Sequence, residues 1–294
     1  MRHYSIPSER YHSFYAPSKI KEYQQYKFAR KLGSKVEPMN VNVVIPAAGE
    51  GSRFAKLGWK KPKPFIDING RPMIEHVIEN ILPNTGIVTL LLRQDHINLM
   101  SNLVLKLKEN GVNIKSVHQL TGGTACTVLL AHRNINNASP LLIANSDQLV
   151  NFDINLLISD CHSRNLDGSI LVFKDQSMDP KWSFVKLNSD GFVVQVAEKT
   201  PISNLATVGI YYFAKGSDFV LAALDMIASN EKVNDEFYTC PVYNHMISRG
   251  AKIGIFEVPI EAMHGLGTPD DFMDYLKSYD LPDSRDMPDQ NSCI

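Results

Sequence analysis

Short runs of β-branched and aliphatic residues alternate with segments that repeat apolar residues every three or four positions. This alternation leaves the chain few possible architectures. Val41–Ile45 is an apolar run ending at Pro46 and reads as a buried strand. Ile74, Val77, Ile78 and Ile81 then lie at the spacing of one amphipathic helix face. Ile87–Leu92 is a second buried strand, and a helix over His96–Glu109 is closed by Asn110-Gly111. Val112–Val117 is a third strand, Thr124–Arg133 a helix and Leu141–Ala144 a fourth strand. Strands that are apolar throughout and joined by helices build a parallel sheet covered on both faces. The expected class is α/β: a Rossmann-like mixed, mostly parallel sheet flanked by helices.

The second half of the chain reads differently. Ser169–Phe173, Ser183–Leu187 and Phe192–Ala197 follow closely, with Ser189-Asp190-Gly191 as a turn, which is a hairpin signal. Thr207–Ala214 and Lys252–Val258 are further strands, and helices are expected over Ser217–Ala228 and Glu236–Arg249. A last helix starts at Thr268-Pro269-Asp270-Asp271, with Thr as N-cap, Pro at the first position and acids in the first turn. Residues 41–280 therefore form the expected domain, and residues 281–294 a tail. Residues 1–40 have no sustained period beyond a possible helix over 18–32. They carry eight Lys/Arg against three Asp/Glu. They read first as an arm packing on the domain or on another subunit of a homo-oligomer, with a flexible tail as the alternative.

Composition excludes several functions. The formal net charge is −1, which gives the whole molecule no electrostatic reason to bind nucleic acid. Cys126, Cys161, Cys240 and Cys293 show no C-x-x-C pair, which argues against zinc and for reduced thiols. No run reaches the length of a membrane span and no secretory h-region is visible, so the expected location is cytoplasmic.

The most informative stretch is Val43-Val44-Ile45-Pro46-Ala47-Ala48-Gly49-Glu50-Gly51-Ser52-Arg53. A buried strand enters small residues and two glycines, then a cation. Small residues let backbone N–H groups approach phosphate oxygens, and Arg53 adds charge-assisted bonds. The loop is neither a Rossmann fingerprint nor a Walker A loop. Lys61-Pro62-Lys63-Pro64-Phe65 places a second cation nearby, stiffened by flanking prolines in what reads as an extended segment. Two cations converging on one strand-end loop point to a polyphosphate.

Residues 41–82 resemble the start of the nucleotidyltransferases that include sugar-1-phosphate thymidylyl-, uridylyl- and cytidylyltransferases. The carriers are Ala47-Ala48-Gly49-Glu50-Gly51-Ser52-Arg53, Pro62-Lys63 and Ile68-Asn69-Gly70-Arg71-Pro72-Met73-Ile74. The resemblance spans about residues 41–280 and implies a fold like that of GT-A enzymes, with a smaller acceptor-binding part containing the hairpin. It implies that Ala47, Ala48, Gly49, Gly51 and Ser52 line the nucleotide site. Arg53 then holds the triphosphate, and Lys63 stabilises charge at the reacting phosphates. In Gln119-Leu120-Thr121-Gly122-Gly123-Thr124-Ala125, the resemblance makes Gln119 and Gly123 base contacts; the residues alone fit equally a Gly-rich helix entry capped by Thr124.

Asp147 lies just past the Leu141–Ala144 strand, where α/β sheets bind ligands. The resemblance makes it the Mg²⁺ ligand; a turn-forming Asp is the alternative. Ala197-Glu198-Lys199-Thr200-Pro201 resembles a Glu-Lys-Pro motif, which assigns Glu198 to an acceptor hydroxyl and Lys199 to the acceptor phosphate. Gly209 would lie near the sugar. Trp182 reads as a pocket wall or a core residue. One motif departs. Sugar thymidylyltransferases carry Trp-x-Asp-x-Gly-Thr, whereas here Met263-His264-Gly265-Leu266-Gly267-Thr268 lacks the acid, leaving His264, Glu261, Asp270 or water to complete a metal shell.

The expected activity is transfer of a nucleotidyl group from a nucleoside triphosphate to a phosphorylated small molecule, foremost a sugar 1-phosphate, with pyrophosphate released. It would serve nucleotide-sugar and polysaccharide synthesis. Three rivals stand beside it. A GT-A-fold glycosyltransferase would need an Asp-x-Asp motif where the chain has Asn145-Ser146-Asp147. A cytidylyltransferase for phosphocholine or another non-sugar phosphate shares the nucleotide loop. A silent nucleotide-binding protein would not need the retained Arg53, Lys63, Asp147 and Lys199.

Overall fold

In a computed structural model, the described residues are 40–281 and 283. Both the N-terminal arm or tail and most of the C-terminal tail lie outside them. Strand β1 (Val41–Ala47) is central, paired in parallel with β4 (Gly86–Arg93) on one side and β6 (Leu141–Ala144) on the other. β4 continues in parallel to β5 (Asn113–Val117). Because side chains alternate along a strand, Val43, Ile45 and Ala47 enter one core while Val44 enters the opposite one. The same split divides Leu90 and Leu92 from Leu91, and Leu142 from Ile143. Two apolar faces explain why these strands lack polar alternation.

The helices between them cover the faces. Helix α1 (Ser52–Lys56) is one short turn, and α2 (Met73–Ile81) buries Ile74, Val77, Ile78 and Ile81 as the period predicts. Hairpin strands β2 (Asp67–Ile68) and β3 (Arg71–Pro72) precede α2. The helix expected over His96–Glu109 is two helices, α3 (Gln94–Leu99) and α4 (Ser101–Glu109), broken at Met100. The Thr124–Arg133 prediction likewise resolves into α5 (Thr124–Leu129) and α6 (His132–Ile135). Apolar periodicity persists across such a break, so pattern alone does not reveal it.

After β6 the chain forms β7 (Gln148–Val150), then α7 (Ile154–Ser163), a helix with Asp153 as N-cap. Strand β8 (Gly168–Lys174) runs antiparallel to β11 (Leu205–Phe213). The predicted hairpin is present as β9 (Ser183–Leu187) and β10 (Val193–Glu198). β11 pairs with β6 through Ile210–Phe213 and meets β9 at Ala206, joining the hairpin part to the parallel half. Helix α8 (Gly216–Ala228) follows. The helix expected over Glu236–Arg249 is only α9 (Val242–Ser248), because 236–240 is an irregular segment held by the 122–125 loop. β12 (Ile253–Glu257) pairs in parallel with β8, β13 (Met263–Gly265) pairs with β7, and α10 (Pro269–Ser278) closes the domain. Thr268 caps α10 by accepting from Asp271 N. The result is a mixed, mostly parallel central sheet in the order β10-β9-β11-β6-β1-β4-β5.

Candidate active site

A cleft of about 800 Å³ opens at the carboxyl ends of β1 and β6, where sheet strands stop and loops begin. Ala47, Ala48, Gly49, Gly51, Ser52 and Arg53 form one wall. Pro46 sits in the ladder beside β4 at the last stretch of β1, beyond the point where β6 pairing stops, so its missing N–H costs the β6 side nothing. Gly51 adopts φ 63° and ψ 22° at the start of α1, and a Cβ there would stand 3.1 Å from Lys63 Cβ. Glycine therefore fits here with least strain, since a side chain would crowd Lys63 in a left-handed backbone conformation.

Lys63 is not in an extended segment, as its flanking prolines suggest. Lys63–Phe65 is a 3₁₀ turn, with Phe65 N donating to Pro62 O at 2.8 Å. Burial of Phe65 and Ile66 in the core under the turn outweighs the pre-proline preference. The turn aims the ammonium across the cleft, where it donates to Asp147 Oδ2 at 2.5 Å and to Gly267 O at 3.0 Å. Asp147 itself is fixed because its carbonyl accepts from Leu266 N at 2.8 Å. Next to it, Asn80 holds both backbone groups of Val150 on β7.

These contacts bear on a divalent cation. The Lys63 ammonium already occupies a cationic position between one carboxylate and one carbonyl, so the donors fit a positive charge. Glycine at 267 keeps the carboxylate face open, since a Cβ there would lie 3.4 Å from Asp147 Oδ2. Among the described residues no group of three or more His, Cys, Asp or Glu converges to cage a metal. The arrangement suits Mg²⁺, which keeps waters and shares its shell with phosphates, better than a metal needing an all-protein site. Neither His264, Glu261 nor Asp270 lines the cleft. His264 Nε2 instead meets Asn151 Nδ2 and the Tyr279 hydroxyl, each at 3.1 Å. Burial also lowers the His264 pKa. The acid of that region that does line the cleft is Asp271, one residue further along α10 and bonded to the Thr268 hydroxyl.

The 119–125 loop shares the roles expected of it unevenly. Gln119 is exposed and lies outside the lining, whereas Leu120, Thr121, Gly123 and Thr124 are in it. Gly123 has φ 129°, and a Cβ would come within 2.5 Å of Phe237 N and O, so the residue is glycine because another backbone crosses it. Thr124 does not cap its helix. Its hydroxyl accepts from Thr239 N at 3.1 Å.

At the far end of the cleft, Glu198 is only 8% exposed. Burial pushes its carboxyl above the usual range, and a hydrogen bond from the Ser183 hydroxyl partly offsets this. Lys199, at φ 54°, sits in the left-handed region and donates to the Tyr238 hydroxyl at 2.5 Å. Gly209 has φ 86° within a register shift of β11; a Cβ there would meet Gln148 Oε1 at 2.2 Å and Asn145 Nδ2 at 2.4 Å. Trp182 answers to both of its readings, lining the cleft while packing edge-on against Phe173 at 5.4 Å. Ser183, Thr207, Tyr211, Glu236, Tyr238 and Thr239 also line this end and were not anticipated. Their only signal was in segments read as plain strand or helix.

Comparisons with known proteins bear on the family. A sequence profile described as nucleotidyl transferase matches residues 42–279. The catalytic subunit beta of mannose-1-phosphate guanylyltransferase from Dictyostelium discoideum is 26% identical over 178 residues, 59% of this chain and 49% of that protein. The bifunctional protein GlmU of Methanococcus aeolicus is 24% identical over 176 residues, 59% of this chain and 40% of that one. The chain thus spans about half the length or less of these curated relatives. A nucleoside-diphosphate-sugar pyrophosphorylase structure from Vibrio cholerae superimposes with a TM-score of 0.67 at 28% identity, covering 80% of this chain and 99% of that one. An inositol-1-phosphate CTP transferase from T. maritima shares the fold at a TM-score of 0.61 and 16% identity, covering 78% and 90% of the two chains. With the profile spanning the whole sheet and every wall of the cleft, the chain belongs to the nucleotidyl transferase family.

Proposed function

We propose that the chain joins a nucleoside triphosphate to a sugar 1-phosphate, releasing pyrophosphate and forming a nucleotide-activated sugar. The observation that carries this reading is one cleft lined both by the glycine loop with Arg53 and Lys63 and by Glu198 and Lys199. Such a cleft holds two phosphorylated substrates at once, one at each cationic end. Small residues at 47–52 admit the triphosphate, and Arg53 pairs with its oxygens. Lys63 then offsets charge that develops on the leaving pyrophosphate. Lys199 holds the acceptor phosphate for in-line attack on the α-phosphorus, and the reaction gains mainly from position and charge rather than from an enzyme nucleophile. Asp147, with the Gly267 carbonyl beside it, is the group that would hold Mg²⁺, which when bound would supply charge neutralisation.

A sugar acceptor is favoured over an amino-alcohol phosphate by the aromatic faces at the acceptor end. A quaternary ammonium needs open aromatic faces. Here Lys181 Nζ covers Trp182 at 4.7 Å and Lys199 Nζ covers Tyr238 at 4.5 Å. Glu198 with Ser183 instead offers hydroxyl partners. The names of the relatives, a mannose-1-phosphate guanylyltransferase and a nucleoside-diphosphate-sugar pyrophosphorylase, support the same substrate class. No helix among the described residues is long and apolar enough to cross a membrane, which is compatible with a cytoplasmic enzyme. Label tracking tests the reading. With α-labelled nucleoside triphosphate and a sugar 1-phosphate, label enters a nucleotide sugar and pyrophosphate appears; nucleoside diphosphate as the product would instead indicate glycosyl transfer.

A further inference from the structure

The segment 236–240, read from the sequence as helix, is an irregular stretch that bonds to the 122–125 loop. Phe237 N donates to Gly122 O at 2.7 Å, and Ala125 N donates to Phe237 O at 2.9 Å. Thr239, 4% exposed, adds bonds from its N and its hydroxyl to Thr124 Oγ1 at 3.1 and 3.2 Å. Residues 237 and 239 thus grip the loop at the nucleotide end. The residue between them makes its side-chain contacts elsewhere. That residue is Tyr238, whose hydroxyl receives the Lys199 ammonium at 2.5 Å and whose ring lies 4.5 Å beneath it. β10 ends at Glu198, and Lys199 leaves it with φ 54°, its backbone N donating to Trp182 O at 3.0 Å, which fixes the base of a long side chain but not its head group.

We infer that Tyr238 is the positioning residue for Lys199, and that through it the 122–125 loop at the nucleotide end holds the lysine that grips the acceptor phosphate. The inference rests on the acceptor role given to Lys199 above. The phenol is suited to the task. It accepts from Lys199 through its oxygen and keeps its own proton for a phosphate oxygen or for the nearby Glu236 carboxylate. Burial raises its pKa, against the pull of Lys199, so the proton stays in place at neutral pH. Lysine has four flexible carbons, so its head group needs an external partner to occupy one place.

Tyr238→Phe keeps the ring and removes the acceptor oxygen. With the sugar 1-phosphate that supports pyrophosphate release, the variant is expected to raise acceptor KM about tenfold while kcat stays within about twofold, the loss of one charge-assisted hydrogen bond. Nucleotide Kd should not change, whereas a merely structural defect in the segment would weaken nucleotide binding as well. In Lys199→Met, adding Tyr238→Phe should raise KM no further. An acceptor KM within twofold of wild type, equal loss of nucleotide affinity, or additive effects in the double variant would each overturn the inference. A second measurement does not depend on the acceptor. Competitive trace acetylation of Lys199 without ligands should increase several-fold in Tyr238→Phe, and an unchanged rate would overturn the inference. If wild type releases no pyrophosphate with any acceptor, the acceptor reading fails while the labelling result still decides what Tyr238 does to Lys199.

Discussion

Individual residues of the cleft carry burdens that their surroundings make measurable. Lys63 pairs with Asp147 and Gly267 O and stands 5.5 Å over the Phe54 ring, so its ammonium is held in the cleft where the proposed reaction would place the phosphates. Lys63→Ala should lower kcat by about 10²–10³-fold in a pyrophosphate assay, the usual loss for one preorganised charge. Survival of turnover within a few-fold would remove Lys63 from the mechanism. Glu198 offers a test with the opposite sign for stability and for function. Its folded-state pKa is raised, chiefly by burial, so the ionised carboxylate is a cost to the fold above that pKa. Stability linked to this proton is fully present below the unfolded glutamate pKa and is lost as pH rises through the folded value. Glu198→Gln, which keeps an oxygen for the Ser183 hydroxyl, should therefore be as stable as wild type or more so at pH 8. The gain should vanish below about pH 4, where both states of the wild type are protonated. Acceptor KM should rise in the same variant. Denaturant titration at both pH values measures the first effect and initial rates the second.

At the level of elements, two asparagines secure the ends of strands that deliver site residues. β10 is the edge of the large sheet, and Asn244 on α9 covers that edge by bonding both Val196 N and Val196 O at 2.9 Å. Asn80 does the same for Val150, with bonds of 2.7 and 2.8 Å. Asn244→Ala would leave two groups of a buried residue unpaired and should cost about 1–3 kcal/mol in chemical denaturation. Because β10 runs directly into Glu198 and Lys199, acceptor KM should rise while nucleotide Kd is nearly unchanged. Equal losses in both affinities would show that α9 supports the whole cleft rather than its acceptor end.

The same scale shows what could be read in advance. β1, β4 and β6 were legible because strands buried on both faces are apolar at nearly every position, Asn42 and Thr89 excepted, and the β9–β10 hairpin because Ser189-Asp190-Gly191 favours a turn. Helix α7 was missed, since Asp153 and Ile154–Ser163 carry a weaker apolar stripe than α2. The breaks at Met100 and Leu130–Ala131 leave the pattern intact and so leave no trace in it. The 236–240 segment read as helix because its neighbours are helical in composition. Its irregular path is held by hydrogen bonds to a loop more than a hundred residues away. Of the site, the glycine loop, Lys63, Asp147 and the Glu198-Lys199 pair were visible as motifs. Gln119 was assigned to the base by resemblance, and its exposure outside the lining leaves Leu120 and Thr121 as the wall. Tyr238, Ser183 and Asp271 belong to the cleft through tertiary packing alone.

For the whole molecule, the sheet has two functional ends. The parallel half bears the glycine loop and Asp147, the antiparallel half bears Glu198 and Lys199, and β11 joins them by pairing with both β6 and β8. In the proposed reaction the two substrates would meet over this one sheet, with loops supplying the contacts. The central claim is that these two ends hold a nucleoside triphosphate and a sugar 1-phosphate for one reaction. The most direct test is a pyrophosphate-release screen crossing CTP, UTP, dTTP, GTP and ATP with sugar 1-phosphates and amino-alcohol phosphates, with and without Mg²⁺. The account predicts a Mg²⁺-dependent signal for a sugar 1-phosphate that is lost in Asp147→Asn. A signal confined to amino-alcohol phosphates, or none from any pair while nucleotide still binds, would contradict it.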